Sequence, residues 1–342
     1  MSNTNSQIAQ ESEIVELSPK ELTPILIEHA LAAESVGLIG PPGSAKSELV
    51  AKAAKAAGLP LYINNREMQD VTDDKGLPMR DTDNANQLVW FKDKKWMVDY
   101  PFANFMDELP RAQMAVMGSS ASFLLENRLD DLYLPKGTWH SWAGNRTSDR
   151  AGANRVPSII YNRCYMYATR YDAESQVEYM LTMDDVDHLT MRYLRMKGDA
   201  AFQFDANKVI NSTPRAWTTV AKKLFRNPDA VYATIAGRIG KGFATELMAF
   251  RNLAPQLPSV EEVLLNPTKA RVPESVSGQF LVTDMLADQA STNTFDALVE
   301  YAKRLPPEMQ AKFMKDSLIR KPEVANTKAF TAWGVKFGEV LR

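Results

Sequence analysis

Residues 36–47 read Val-Gly-Leu-Ile-Gly-Pro-Pro-Gly-Ser-Ala-Lys-Ser, and no other stretch limits the possible folds so narrowly. Val36 to Ile39 is apolar enough for a short buried strand, 40–45 is a Gly/Pro-rich tight loop, and Lys46-Ser47 opens a helix. Apolar residues at 49, 50, 53, 54 and 57 then share one helical face, and Gly58 and Pro60 close it. A strand, a loop and a capped helix in that order form a concavity that suits an anion. Loop and helix N-terminal amides point at it, and the helix dipole favours negative charge there. On this reading Gly40, Pro41, Pro42, Gly43, Ser44 and Ala45 cradle a nucleotide's phosphates. Lys46 reaches the β- and γ-phosphates and Ser47 takes a position on Mg²⁺. Ala45 stands where the strict motif has its last glycine. Taken alone, the segment could be a plain turn between strand and helix; its flanks favour the phosphate site.

Charge and cysteine content narrow the classes further. Lys+Arg 40 against Asp+Glu 42 gives a net charge of -2 over 342 residues, so no global basic field advertises nucleic acid. Cys164 is the only cysteine, which excludes an intramolecular disulfide framework and suits a reducing compartment. His29, His140 and His188 have no metal-ligand spacing. No apolar run approaches the roughly 18–20 residues of a membrane span, and the N-terminus lacks the pattern of a signal peptide. A soluble, cytoplasmic protein with no membrane contact is expected.

Along the chain, 1–17 is polar and reads as a loose arm. A mixed-face helix over 22–33 leads into the phosphate-loop strand, and 61–63 is a second strand. Residues 66–87 read as a long loop, and 88–91 with 96–98 as a β-hairpin joined by 92–95. The run from Phe102 then ends on two adjacent acids, Asp107 and Glu108. Taken alone, this reads best as a solvated strand end, but a phosphate loop about sixty residues upstream favours a functional reading. In phosphoryl transfer the first acid holds Mg²⁺ and the second polarises the attacking water. A helix is expected over 111–127 and an extended return over 130–135. A third core strand over 139–145 ends on Asn145, which suits either a lytic-water contact or simple Gly-Asn turn chemistry. Arg146, Arg150, Arg155 and Arg163 follow, a solvated face or a source of a γ-phosphate contact from a neighbouring subunit. A strand over 164–169 comes next. After Asp172 the chain turns helical, with segments over 183–197, 214–225, 228–250, 274–290, 294–303, 307–318 and 329–341. An irregular connector is expected over 253–273.

This order of parts resembles an AAA+ ATPase of the MoxR-like branch. Ala before the motif lysine, Asp-Glu-Leu-Pro-Arg-Ala at 107–112, Ala-Gly-Asn-Arg-Thr-Ser-Asp-Arg-Ala-Gly at 143–152 and Ile-Tyr-Asn-Arg at 160–163 carry the resemblance. It covers nearly the whole chain and extends to Arg304-Leu-Pro-Pro-Glu308 and Phe330-Thr-Ala-Trp333. It implies an α/β P-loop core with a parallel sheet between helices over 18–172, with a hairpin insertion near 88–98. A helical lid over 173–255 and a helical extension over 256–342 would follow. It also implies that Asp107 and Glu108 are the Walker B pair, Asn145 is sensor 1, Arg163 is the arginine finger acting in trans and Arg215 is sensor 2. Arg150 and Arg155 are reserve fingers. A homo-oligomeric ring, hexameric in this resemblance, would couple Mg²⁺-dependent ATP hydrolysis to remodelling of a protein client. A partner with a von Willebrand A domain is implied too. An ATP-binding scaffold with little turnover, or a nucleic-acid motor or loader on the same core, are the alternatives. Two departures from the pattern stand out: Asn104 interrupts the apolar run before Asp107, and Pro110 replaces a polar residue after the acids.

Overall fold

A computed structural model describes residues 11–84, 86–149 and 154–337. The chain forms two compact units, Met1–Met183 with Asp199–Thr219, and Asp184–Gly198 with Val220–Arg342. The boundary falls inside the region expected as one lid over 173–255.

The first unit is built on a six-stranded sheet. Its strands are β1 (Glu16–Leu17), β2 (Val36–Ile39), β3 (Leu61–Asn65), β6 (Ala103–Asp107), β9 (Trp139–Gly144) and β10 (Tyr165–Thr169), while β4 (Leu77–Arg80) with β5 (Leu88–Phe91), and β7 (Arg128–Leu129) with β8 (Leu132–Tyr133), form two separate ribbons. Their spatial order is β1-β10-β2-β9-β6-β3, and every neighbouring pair is parallel. Strands β2 and β9 are buried along their whole length, as a parallel sheet covered on both faces requires. Alternate residues serve the two faces. Leu38, Ala103, Phe105 and Ala143 meet the helices Pro19–Ala32 and Lys46–Ala56 through Leu26, Leu49, Val50 and Ala53. Ile39, Phe102, Met106 and Trp142 meet the helix Met114–Glu126 through Val116, Met117 and Phe123. This is the α/β architecture expected from the sequence, a parallel sheet between helices. Because all six strands run the same way, the chain leaves β2, β6 and β9 at one edge of the sheet. Ile39 pairs with Gly144 and Met106 with Trp142, which sets residue 40 level with 145 and residue 107 level with 143, all at this edge. In open α/β sheets such an edge is where ligands bind.

Asn104, the interruption in the apolar run, belongs to a polar chain that crosses the buried sheet. Asn64 Nδ2 donates to Asn104 Oδ1 at 2.8 Å, and Asn104 Nδ2 lies 3.2 Å from His140 Nδ1. His140 Nε2 in turn lies 2.8 Å from Asn127 Oδ1. Only the Nε2–H tautomer satisfies both ring contacts, so the imidazole is neutral here, and its burial pulls its pKa down to about 3. The unfolded chain takes up this proton below the ordinary value of 6.5, while the folded chain resists until near 3. Stability is therefore whole above that range and falls with acidification, by about 1.4 kcal/mol per pH unit from this group alone. Urea denaturation at pH 6 and pH 5 should show this slope in the native protein and a flatter one in His140→Gln.

The structure corrects the expected hairpin. β5 (Leu88–Phe91) pairs antiparallel not with 96–98 but with β4 (Leu77–Arg80), which lies in the stretch expected as loop. Gly76 makes the pairing possible: its φ is 85°, and a Cβ there would sit 2.2 Å from the Phe91 carbonyl oxygen. Trp96 is not a strand residue. It turns inward on a short 3₁₀ turn, 1% exposed, and its ring packs beside Phe102 and Phe123. The arm also differs from expectation. Residues 16–17 form β1 on the edge of β10, while residues 1–10 lie outside the described residues.

The second unit is helical among its described residues. Leu286, Phe295, Leu298, Phe313 and Trp333 centre its core, and Tyr301 is fully buried within it. The helix expected over 228–250 is two, Tyr232–Ile239 and Lys241–Leu253, because Gly240 turns the chain at a φ of 86°. The connector over 253–273 contains a short helix, Val260–Leu265, capped by Ser259. Asp284 is fully buried and faces Arg192, Arg195 and Arg320, so a charge with no access to water is paired on several sides. Among the described residues no helix is long and apolar enough to cross a membrane.

Candidate nucleotide site

The loop after β2 has a backbone that only certain residues adopt without cost. At Gly40 an added Cβ would lie 2.0 Å from Thr169 Oγ1, so the strand tip of β10 presses on the loop where no side chain fits. Gly43 has a φ of 78° and sits against Thr213 and the Cβ of Arg215. Ala45 has φ 65° and ψ 16°, the left-handed conformation, directly before the helix Lys46–Ala56. This is the position where the strict motif has glycine, and an L-residue there carries roughly 1–2 kcal/mol of strain. Ala45→Gly relieves it but loosens the unfolded chain, so a net gain of about 0.5–1 kcal/mol is expected in thermal or urea unfolding. The left-handed turn leaves the first amides of the helix without intrahelical partners, facing the sheet edge.

Five candidate side chains gather at that edge. Lys46 is buried, and its Nζ donates to the carbonyl oxygens of Gly40 at 2.9 Å and Pro41 at 3.1 Å and to Asn145 Oδ1 at 3.2 Å. Burial lowers its pKa to about 8, against the pull of Glu108 and Asp107. Ser47 Oγ donates to Asp107 Oδ2 at 3.0 Å, so hydroxyl and carboxylate already face each other. The other oxygen of Asp107 accepts from the Glu108 amide at 3.0 Å. Glu108 itself has a φ of 54°, which swings its side chain out of strand register. Its Oε2 is buried without a hydrogen-bond partner, and burial, then the Asp107 charge, raises its pKa. A half-buried carboxylate with an idle oxygen and raised basicity has the properties of a general base. Pro110, the second departure, has a packing reason: a Cβ on Gly144 would come within 2.3 Å of the Pro110 ring, so strand β9 and the turn after the acids fit closely.

The arginines separate. Arg215 is exposed in the first turn of the helix Pro214–Arg226, with its Cβ beside Gly43. Arg163 lies at the other end of the sheet, just before β10 begins, and its guanidinium donates to the carbonyl of Ala121. It does not join the cluster of its own chain. Arg155 is exposed, and Arg150 lies outside the described residues.

Some neighbours of the site are silent in the sequence. Thr169 Oγ1 is 2.6 Å from Ser44 Oγ, and the Tyr171 hydroxyl donates to the Pro42 carbonyl at 2.7 Å. Both brace the loop from β10, and a polar residue closing the strand over 165–169 is the only signal that could have drawn attention to them. Among the described residues no group of three or more His, Cys, Asp or Glu side chains is placed to hold a metal ion. The paired Ser47 and Asp107 fit Mg²⁺ instead, since that ion takes one or two protein oxygens and completes its shell with phosphate and water.

No protein-family model matches the chain, and no curated protein does. Solved structures do. A Thermotoga maritima RuvB Holliday junction branch migration motor is 17% identical, covers 71% of this chain and 72% of its own, and superposes with a TM-score of 0.38. NtrX from Brucella abortus in complex with ADP is 11% identical over 94% of this chain and 68% of its own, with a TM-score of 0.41. A Cytophaga hutchinsonii protein described as a candidate ATPase is 14% identical over 92% of this chain and 85% of its own, with a TM-score of 0.34. Likenesses this distant carry no argument for the site, which stands on its own residues.

Proposed function

We propose that this chain is an ATP-hydrolysing AAA+ protein of the MoxR-like branch, acting in a ring of its own copies on a protein client. One observation carries the reading. A phosphate loop, a hydroxyl–carboxylate pair, a half-buried glutamate and a strand-tip asparagine meet at one sheet edge, with Ser47 3.0 Å from Asp107 and Lys46 3.2 Å from Asn145.

In this account the triphosphate lies along the amides of 40 and 43–47, and Lys46 exchanges its carbonyl partners for phosphate oxygens. Ser47 and Asp107 hold Mg²⁺, which when bound neutralises charge on the β- and γ-phosphates. Glu108 accepts a proton from the attacking water through its unpartnered oxygen. Asn145, released by Lys46, orients that water or touches the γ-phosphate. Arg215 approaches the phosphates from beside Gly43. Arg163 serves the site of the neighbouring copy, a role in keeping with its place at the far end of its own sheet. The ribbon of β4 and β5 exposes Leu77, Met79, Val89 and Phe91, which share one face and suit contact with an extended client.

Mixing two inactive variants tests the division of labour. Lys46→Ala lacks a working phosphate site but keeps the finger; Arg163→Ala is the reverse. Each alone should be nearly silent, because an arginine finger contributes roughly 10³-fold or more. Their mixture should recover measurable ATPase activity. If Arg163→Ala alone retains full turnover, the finger is Arg150 or Arg155; if the mixture stays silent while both variants assemble, the site is not shared between copies.

A further inference from the structure

The segment before the first helix is tied to the site at two points that the nucleotide chemistry does not require. Glu11 grips Thr147 with both carboxylate oxygens: Oε2 accepts from the Thr147 amide at 3.0 Å and Oε1 from its hydroxyl at 2.8 Å. Five residues on, Glu16 forms an ion pair with Arg146. Arg146 and Thr147 are the two residues directly after Asn145, whose side chain holds Lys46.

The second tie reaches the phosphate loop by another route. The Arg146 guanidinium also donates to the Thr169 carbonyl at 2.9 Å, and the hydroxyl of Thr169 braces Ser44 at 2.6 Å. Asp149 closes the turn by accepting from the Arg146 amide at 3.1 Å. The segment is itself seated: Ile14 packs against the core on one face of the sheet and Leu17 against the core on the other. The Val15 carbonyl accepts from Ala168 at 2.9 Å and the Leu17 carbonyl from Arg170 at 3.1 Å. Yet β1 is only two residues long and sits at the sheet edge, the kind of element that opens at low cost.

We infer that residues 11–17 clamp the loop that carries Asn145, with Glu11 and Glu16 as positioning residues for Lys46 and the phosphate loop. The clamp holds the strand-tip asparagine in register with the lysine, and its release uncouples the two. This rests on the ATPase reading of the site, so its test has one arm that does not depend on turnover.

The full-length chain is compared with Glu11→Ala/Glu16→Ala and with the milder Glu11→Gln/Glu16→Gln, which keeps acceptor oxygens but no charge. In hydrogen exchange, amides of 144–149, 40 and 43–47 should exchange faster in the alanine pair, while those of the helix Val276–Asp288 stay unchanged. In steady state, kcat should fall about tenfold or more, because small displacements of reacting groups are costly, with KM for ATP moving by less than about threefold. The glutamine pair should fall between. Faster exchange with kcat per folded molecule unchanged would overturn the positioning role, and unchanged exchange would overturn the clamp altogether. If the native chain hydrolyses no ATP at any concentration, the ATPase reading fails and the exchange arm alone decides the clamp.

Discussion

Glu108→Gln is expected to cut ATP turnover by about two orders of magnitude or more while leaving ATP bound, since a positioned general base contributes roughly 10²–10⁴-fold. The physical case lies in the surroundings of this carboxylate. The backbone at 108 is held in the left-handed region, and the side chain is removed from the strand that delivers it. One oxygen is buried without a partner, and burial beside Asp107 raises the affinity for a proton. A purely structural acid would have paired that oxygen, because an orphaned buried acceptor costs about 1–3 kcal/mol. Glutamine keeps the shape and the packing but cannot take the proton. Single-turnover hydrolysis and the affinity of a fluorescent ATP analogue separate the two effects. If the variant retains more than about a tenth of native turnover, Glu108 is not the base.

Lys46→Ala should abolish productive binding, lowering affinity for ATP by about 10²–10³-fold. The amine is buried and is bonded to two loop carbonyls and to Asn145, and it lies within the field of both acids. A charge held out of water at a pKa near 8 is desolvated in advance. Its attraction to an incoming polyanion is therefore strong, with charge-assisted bonds of about 1.5–3 kcal/mol each. The same substitution leaves the Gly40 and Pro41 carbonyls without their donor, so a modest fall in melting temperature accompanies the loss. The two readouts need to be taken together. An affinity within about tenfold of native would place the phosphates elsewhere.

The parts of this molecule that were legible in the sequence are those set by local chemistry. A buried strand running into a Gly/Pro loop and a one-faced helix specifies its own geometry, and the parallel α/β fold follows from repeating strand and helix around it. Ala45 shows how far that goes: the backbone keeps the left-handed turn even though the residue suited to it is absent. What was illegible depends on distant partners. The pairing of Leu88–Phe91 with Leu77–Arg80 is fixed by Gly76 and by Trp96 leaving the surface for the core, and neither event has a periodic signature. Asn104 interrupts an apolar run in the sequence because His140 and Asn64 supply its hydrogen bonds from neighbouring strands. The edge strand Glu16–Leu17 is too short to show alternation at all. At the site, the sequence offered roles one residue at a time; contacts such as Thr169 with Ser44 and Tyr171 with Pro42 join residues more than a hundred positions apart.

The most direct measurement is the rate of ATP hydrolysis per subunit as protein concentration is raised, with Glu108→Gln beside it. A site completed by a neighbour's arginine predicts specific activity that climbs steeply with concentration, levels off once copies are assembled, and vanishes in the variant. A low, concentration-independent rate despite tight ATP binding would contradict the account and leave an ATP-binding scaffold in its place.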